Sequence, residues 1–400
     1  MPVNTLSFTQ ISTILNSIHN QATGVNAPVA TSTADFVTQA NTALLTGFDT
    51  ILNALNQVLS RTIFSIRPYS AKFRGLFVDE TSWGNHVRKV SIADSDLIDN
   101  DNYKWPVGYD ANQTPPNGNG ESLDPFKIYK PDILQTNFYG ASVYEYAYTI
   151  TRDNLNQAFT GPDELAQFVS MIVENRNSHL EQARENMARM TVSNFIGALV
   201  AENNTDRVVK VLTAYNAATG LSLDAQTVMQ PANYKAFMHW LYSLIATLTA
   251  RMTERGEMYQ TVINSKHIMR HTPYEMQRIY MLSDFRYQAE MMALSDTFHD
   301  NYLRMGDVET VNYWQGIKAP ASINITAGYT GTNGAPTSAA VAKDNVIGVI
   351  MDREAAGCAV TQAWSEVARN ARGGYSTTWD HATLRCWNDN TEKGIVLLME

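Results

Sequence analysis

The sequence predicts an α+β chain whose strands and helices are arranged around one very long helix. Three observations carry this. Residues 161–203 keep helical spacing of apolar positions for about 40 residues, with proline only at the start. Residues 83–150 read as two strand-like arms around a stretch rich in Asp, Asn, Gly and Pro. Near the end, Val346-Ile347-Gly348-Val349-Ile350-Met351 and Ile395–Met399 are short apolar runs, the pattern of strands buried on both faces.

Taken in order, residues 1–60 carry only two charged side chains, Asp35 and Asp49. From Phe36 to Leu59, Leu44, Phe48, Ile51, Leu52, Leu55, Val58 and Leu59 fall at helical spacing, with Gly47 weakening the pattern. A helix so short of charge is expected to pack on the body or on another subunit. Ile63–Ile66 and Lys72–Val78 are β-like, and Trp83–Ile92 alternates in part. Residues 93–125 are turn chemistry almost throughout, including Asp94, Asp96, Asp99, Asp101 and Pro115–Gly120. Lys127–Tyr129 and Asn137–Ile150 return as strand. So long an irregular insert suits an arm reaching away from its own domain.

Gly161-Pro162-Asp163-Glu164 starts the long helix, with proline in the first turn and acids at the positive dipole end. At 1.5 Å per residue it spans roughly 60 Å, longer than one domain is wide. Beyond it, Arg207–Ala214 is strand-like and Pro231–Arg255 helical. Met258–Ile263 reads as strand, and Thr272-Pro273 as the start of a helix running to about Leu294. Val308–Trp314 reads as strand and 326–338 as a Gly/Thr/Ser/Pro loop. After the apolar strand at 345–351, a helix is expected near Arg353–Ala359, then a strand pair in Tyr375–Asn388. No internal repeat is visible.

Composition narrows the function. Thirty Lys and Arg against 39 Asp and Glu give a net charge of −9, with a pI near 5.4. A chain that grips nucleic acid on an open surface needs the opposite balance, because phosphate neutralisation supplies most of the affinity. Charged residues are 17% of the chain, against about 25% in an average soluble domain. Asn and Thr, at 33 and 38 copies, take their place. Such a surface is short of the charges that keep monomers apart and suits a chain covered by neighbours.

Met1-Pro2-Val3-Asn4-Thr5 shows no secretory pattern, and no run approaches the length of a membrane span. The expectation is a soluble protein made in a reducing cytoplasm. Of the two cysteines, Cys358 and Cys386, a bridge is open, but two reduced, partly buried thiols is the reading taken.

No phosphate-binding GxxxxGK[ST], no GxGxxG after a strand, no GxSxG and no HExxH occurs. His267 and His271 are four apart, but Thr272-Pro273 follows at once and disfavours the helix that would align them. His381 and Cys386 lack a third ligand. The Asp94–Asp101 cluster lacks the glycine and closing glutamate of a calcium loop and reads as a solvated turn. The Met- and Tyr-rich stretch Met276–Met292 reads as core packing. The tryptophans at 83, 105, 314, 364, 379 and 387 are scattered, as buried anchors would be, and form no base-stacking platform. No catalytic, cofactor-binding or metal-ligating residue is assigned, and no enzyme is expected.

The order of elements carries a resemblance. An apolar N-terminal arm, a two-armed β loop (80–145, with Trp83-Gly84 leading in and Tyr144–Leu155 leading out), the helix at 161–203 and an α/β insertion follow one another. The strand Val346–Met351 then runs into Asp352-Arg353-Glu354-Ala355, and the segment from Thr272-Pro273-Tyr274-Glu275 through Thr297-Phe298-His299 is similar to capsid sequence. Together these resemble the major capsid protein of tailed bacteriophages, with the Hong Kong 97-like fold. The resemblance implies five regions: an N-terminal arm (1–65), an extended β loop and its base (66–160), a peripheral-domain spine helix (161–203), an axial domain (204–345) and a return to the peripheral domain (346–400). It implies self-assembly as pentamers and hexamers into an icosahedral shell around double-stranded DNA, held without sequence-specific binding. Other expected partners are a separate scaffolding protein, a portal protein and decoration proteins. The expected location is the virion, after assembly in the bacterial host cytoplasm, with no cofactor, metal or membrane. A tail or collar protein and an encapsulin-type compartment shell are the alternatives.

Overall fold

The computed structural model describes residues 7–24, 28–45, 50, 51, 54, 73–77, 87–92, 126, 133–138, 141–265, 268–285 and 307–400. The readings at 63–66, 93–125 and 127–129, the acidic cluster among them, lie outside the described residues.

Helix α1 (Phe8–Thr23) is an element the patterns above do not include. It starts on a reciprocal cap between Ser7 and Gln10 and ends at Gly24, whose φ of 70° a side chain would resist. Its stripe Ile11, Ile14, Leu15, Ile18 is buried. Helix α2 (Thr33–Leu45) follows, and residues 50, 51 and 54 are also helical, in line with the helical reading of 36–59. Both helices pack with Ile150, Leu155, Phe159 and the first turns of the long helix into one apolar core.

Strands β1 (Val87–Ile92) and β2 (Ile133–Phe138) pair antiparallel, Val87 opposite Phe138 and Ile92 opposite Ile133. β3 (Ser142–Thr151) leads through the short α3 (Arg152–Ala158) to α4 (Pro162–Glu202), the predicted long helix, 41 residues. Asn203 closes it in the left-handed conformation.

The second core is built on a five-stranded sheet, in the order β4 (Val208–Lys210), β12 (Gly394–Leu398), β9 (Val346–Asp352), β5 (Gln277–Leu282), β6 (Asp307–Val311). β5, β9 and β12 are buried along their whole length. Tyr280, Leu282, Val396 and Leu398 face the C-terminal half of α4. Ile279, Met281, Ile395 and Leu397 face α5 (Val211–Thr219) and α6 (Pro231–Met252). A third group, β10 (Ala356–Asn370), β11 (Tyr375–Asn388) and β3, forms a separate antiparallel sheet beside α4.

Several expectations are corrected. Of Lys72–Val78, residues 73–77 are described, and they form a 3₁₀ turn at Arg74–Leu76 followed by a bridge from Phe77 to Cys358. Of Arg207–Ala214 only β4 is strand, and Val211 already begins α5. Met258–Ile263 forms no strand. Over 272–282 the helix expected to run to about Leu294 is replaced by a 3₁₀ turn and β5, residues 283–285 are helical, and 286–294 lie outside the described residues. A strand covered on both faces shows an unbroken apolar run, which helix and strand share. The loop expected at 326–338 is mostly hairpin, β7 (Ile323–Thr330) against β8 (Pro336–Lys343). Arg353–Ala359 is a turn running into β10, and 375–388 is one long strand with partners on both sides.

Candidate assembly interface

The β1–β2 hairpin has two unlike faces. Lys89 and Ser91 with Leu134 and Thr136 are half-buried toward the body. Arg88, Val90, Ile92, Ile133 and Gln135 point the other way and are exposed. Ile92 and Ile133 are directly opposite each other and more than half exposed, at 64% and 57%. Strand alternation places this apolar pair on one face, and no described part of the chain covers it.

What holds the hairpin is the turn between β11 and β12. Asp389, Asn390, Thr391, Glu392 and Lys393 are five consecutive polar residues, all nearly or fully buried. From the hairpin, Lys89 Nζ lies 3.4 Å from Glu354, 3.2 Å from Asp389, and pairs with Glu392. Arg270 pairs with the same Glu392 and donates to Ser91 Oγ at 3.3 Å and Thr391 Oγ1 at 3.2 Å. Burial lowers the Arg270 guanidinium from its ordinary range, and Asp389, Asp352 and Glu354 oppose that.

On its inner side the same turn is gripped by Arg207, which is fully buried. Its Nη1 donates to Glu202 Oε2 at 2.8 Å, Thr261 Oγ1 at 2.6 Å and the Asn390 carbonyl at 2.8 Å. Its Nη2 reaches the Glu392 carbonyl at 3.0 Å, and its Nε the Gly394 carbonyl at 3.2 Å. Desolvation pulls this guanidinium down, and Glu202 chiefly opposes it. Asn390 also bonds Thr330 through both main-chain groups, at 2.8 and 3.0 Å. One buried polar turn thus joins the end of α4, the β1–β2 hairpin and the β7–β8 hairpin. The sequence reading assigned nothing to 389–393, since burial of five polar residues leaves no local signal.

Farther along α4, Arg189 sits over the rings of Phe73 (5.2 Å) and Tyr313 (3.9 Å) and bonds Glu185 at 2.5 Å. It also donates to the Tyr313 carbonyl, so one side chain clamps two segments onto the helix. At the other sheet, β10 is an edge strand, exposed from residue 362 onward, with Trp364 and Val367 each 41% exposed.

The residues weighed for metal binding do not converge. His271 is exposed on no helix, and His267 lies outside the described residues. His381 stacks on Trp364 at 5.0 Å, while Cys386 sits against Cys358. Five residues apart on one strand, they point to opposite faces. No group of three or more His, Cys, Asp or Glu fit to hold a metal occurs among the described residues. No described helix is long and apolar enough to cross a membrane. Of the tryptophans, Trp314 is the buried anchor expected, donating to the Val346 carbonyl at 2.8 Å, whereas Trp364 is exposed. One cleft of about 520 Å³ lies beside Arg88, Arg278 and Arg353, and another of about 660 Å³ beside Glu202, Asp206 and Glu257.

A long helix serves two cores, and the hairpin anchored at its root is bare on its outer face among the described residues. The chain belongs to the Phi29-like phage major capsid protein family, whose sequence profile matches residues 11–396. Among solved structures it is similar to a chain in the capsid structure of Staphylococcus phage Andhra, with a TM-score of 0.54 and 10% identity over 85% of this chain and 87% of that one. It is also similar to a chain in the structure of head fiber and inner core protein gp22 of native bacteriophage P68, with a TM-score of 0.52 and 9% identity over 85% and 87%. No curated protein matches. The fold is the Hong Kong 97-like capsid fold, and the protein is a tailed-phage major capsid protein that assembles with itself into the capsid shell. Membership in this structural family implies a non-enzymatic role and a place in the virion.

Proposed function

We propose that the chain closes as pentamers and hexamers into an icosahedral shell around double-stranded DNA, with 80–145 lying over the next subunit. In this reading 1–65 is the N-terminal arm, 66–160 the extended loop and its base, and 161–203 the spine. Residues 204–345 are the axial domain, and 346–400 return to the peripheral domain. Assembly takes place in the bacterial host cytoplasm on a separate scaffolding protein, around a portal, and decoration proteins join the finished shell. Heterologous contacts repeated around five- and six-fold axes close when the rotation permits. The net charge of −9 suits a container whose wall must not hold its DNA.

The observation that carries the reading is the exposed Val90, Ile92 and Ile133 face on a hairpin fixed at its root by Lys89 and Arg270. Such a face gains by burial against another molecule. Electron microscopy of the assembled protein tests it. Closed shells are expected from the parent chain, and Ile92→Asp is expected to leave folded subunits that form few or none. Tubes, or a monomer with this face folded onto its own body, would overturn the reading.

A further inference from the structure

Strands β10 and β11 set Cys358 directly opposite Cys386. Hydrogen-bonded and non-hydrogen-bonded pairs alternate along an antiparallel ladder, and the second kind brings Cα atoms to about 4.5 Å. Asp389 N donates to the Ala355 carbonyl, which marks that pair as hydrogen-bonded. Counting inward, Gly357 and Trp387 are the next hydrogen-bonded pair, and Cys358 and Cys386 form the close kind. The register shift between Val360 and Gln362 lies farther along and does not disturb the count. The pair therefore falls inside the Cα window of about 4.4–6.8 Å that a disulfide needs. Both thiols are free. Cys358 is fully buried, with Thr191 of α4 at 3.5 Å from its sulfur, while Cys386 is half-buried.

We propose that Cys358 and Cys386 are an oxidation site, forming an intrachain cross-strand disulfide when the subunit meets a disulfide-type oxidant such as oxidised glutathione. The sulfur of Cys386 attacks one sulfur of the oxidant, expels one glutathione thiolate and forms a mixed disulfide. The sulfur of Cys358 then attacks Cys386, its proton passing to a departing thiolate, and the second glutathione leaves. Two protein thiols give up two electrons and two protons, and one oxidant disulfide becomes two thiols. The roles follow from the environment. The facing Cys358 side chain holds the Cys386 thiol below its ordinary range, and the thiolate is the nucleophile. The same pairing, and then burial, push the Cys358 thiol up. The bond staples the buried root of the β10–β11 hairpin beneath α4, leaving the exposed outer half as it is. A reducing cytoplasm keeps the pair open, and an oxidising medium closes it.

The test uses the full-length chain, folded, incubated with oxidised glutathione, quenched with N-ethylmaleimide, then denatured without reductant for intact-mass and peptide analysis. Both thiols are expected to vanish without added glutathione mass, and a reductant-sensitive peptide pair joins Cys358 to Cys386. In a glutathione redox titration the folded chain is expected to reach a disulfide-to-dithiol ratio about tenfold or more above that in denaturing urea, because the fold holds the pair in place. Cys358→Ala is expected to trap a stable glutathione adduct on Cys386. The proposal is overturned by untouched thiols, by a lasting adduct on Cys386 in the parent chain, by links between chains, or by equal ratios in folded and denatured protein.

Discussion

The two larger sheets are built on opposite plans. In the five-stranded sheet, β5, β9 and β12 are buried at every position, and α4 and α6 cover the two faces. In the β10–β11–β3 sheet, burial alternates along β3, and the outer half of β10 is exposed throughout. The first is a core in which pairing and packing are both internal. Along the middle of α4 the second rests on the helix through polar contacts: Arg176 pairs with Asp380 at 2.8 Å, and Tyr146 stacks on His179 at 5.2 Å. Between Val173 and Glu185 no side chain of α4 is fully buried. The helix thus ties two hydrophobic cores together across a polar middle. Stability should concentrate at the ends, and the middle sheet is left with surface to share.

The largest expected effect is at the junction. Arg207→Ala removes the cation that Glu202 pairs with and the donor that the Glu392 and Gly394 carbonyls share, and breaking such a buried pair costs about 3–5 kcal/mol. Urea unfolding measures it, and a loss under about 1 kcal/mol would show that water reaches the network. Ile350→Ala, at a fully buried position on β9, is expected to cost about 2–5 kcal/mol by lost burial and the cavity left behind. Arg176→Ala leaves buried Asp380 with the Ser365 hydroxyl, and about 1–3 kcal/mol is expected. If Arg176→Ala proves as costly as Ile350→Ala, the contrast between the sheets is wrong.

The smallest effect is at the C-terminal carboxylates. Hydrogen bonding to Lys343 first, with Asn345 and Lys210, draws the Glu400 side chain from 4.5 to about 2. A depressed carboxylate contributes its stability above its unfolded value and loses it as pH falls. The contribution should fade between pH 4.5 and about 2. Glu400→Gln should flatten the stability-versus-pH curve only in that window, and added salt should shrink the difference, since the group and its lysine partners are partly solvated.

Local chemistry made the long helix readable. Pro162 at its first position, acids in its first turn and a sustained apolar stripe placed it within a residue at each end. The buried strands β9 and β12 were readable as apolar runs between turn signals. The strand β5 was not, because an apolar run beginning after Thr272-Pro273 satisfies a helix template equally well. The β7–β8 hairpin hid behind Gly, Thr and Ser, whose turn preference is overridden by their pairing partners. The turn at 389–393 shows the limit most clearly, for its residues are those of an exposed loop. Its burial depends on Arg207, Lys89 and Arg270, which are far away along the chain.

The chain order therefore established where the long helix lies, that four later segments hold strand (β6, β9, β11 and β12), and that the chain is poor in charge. These follow from spacing between near neighbours and from composition. Which strands pair, which polar residues go inside and which cysteines meet was settled only when distant segments came together. Those outcomes are energies of contact between remote residues, and no local pattern records them.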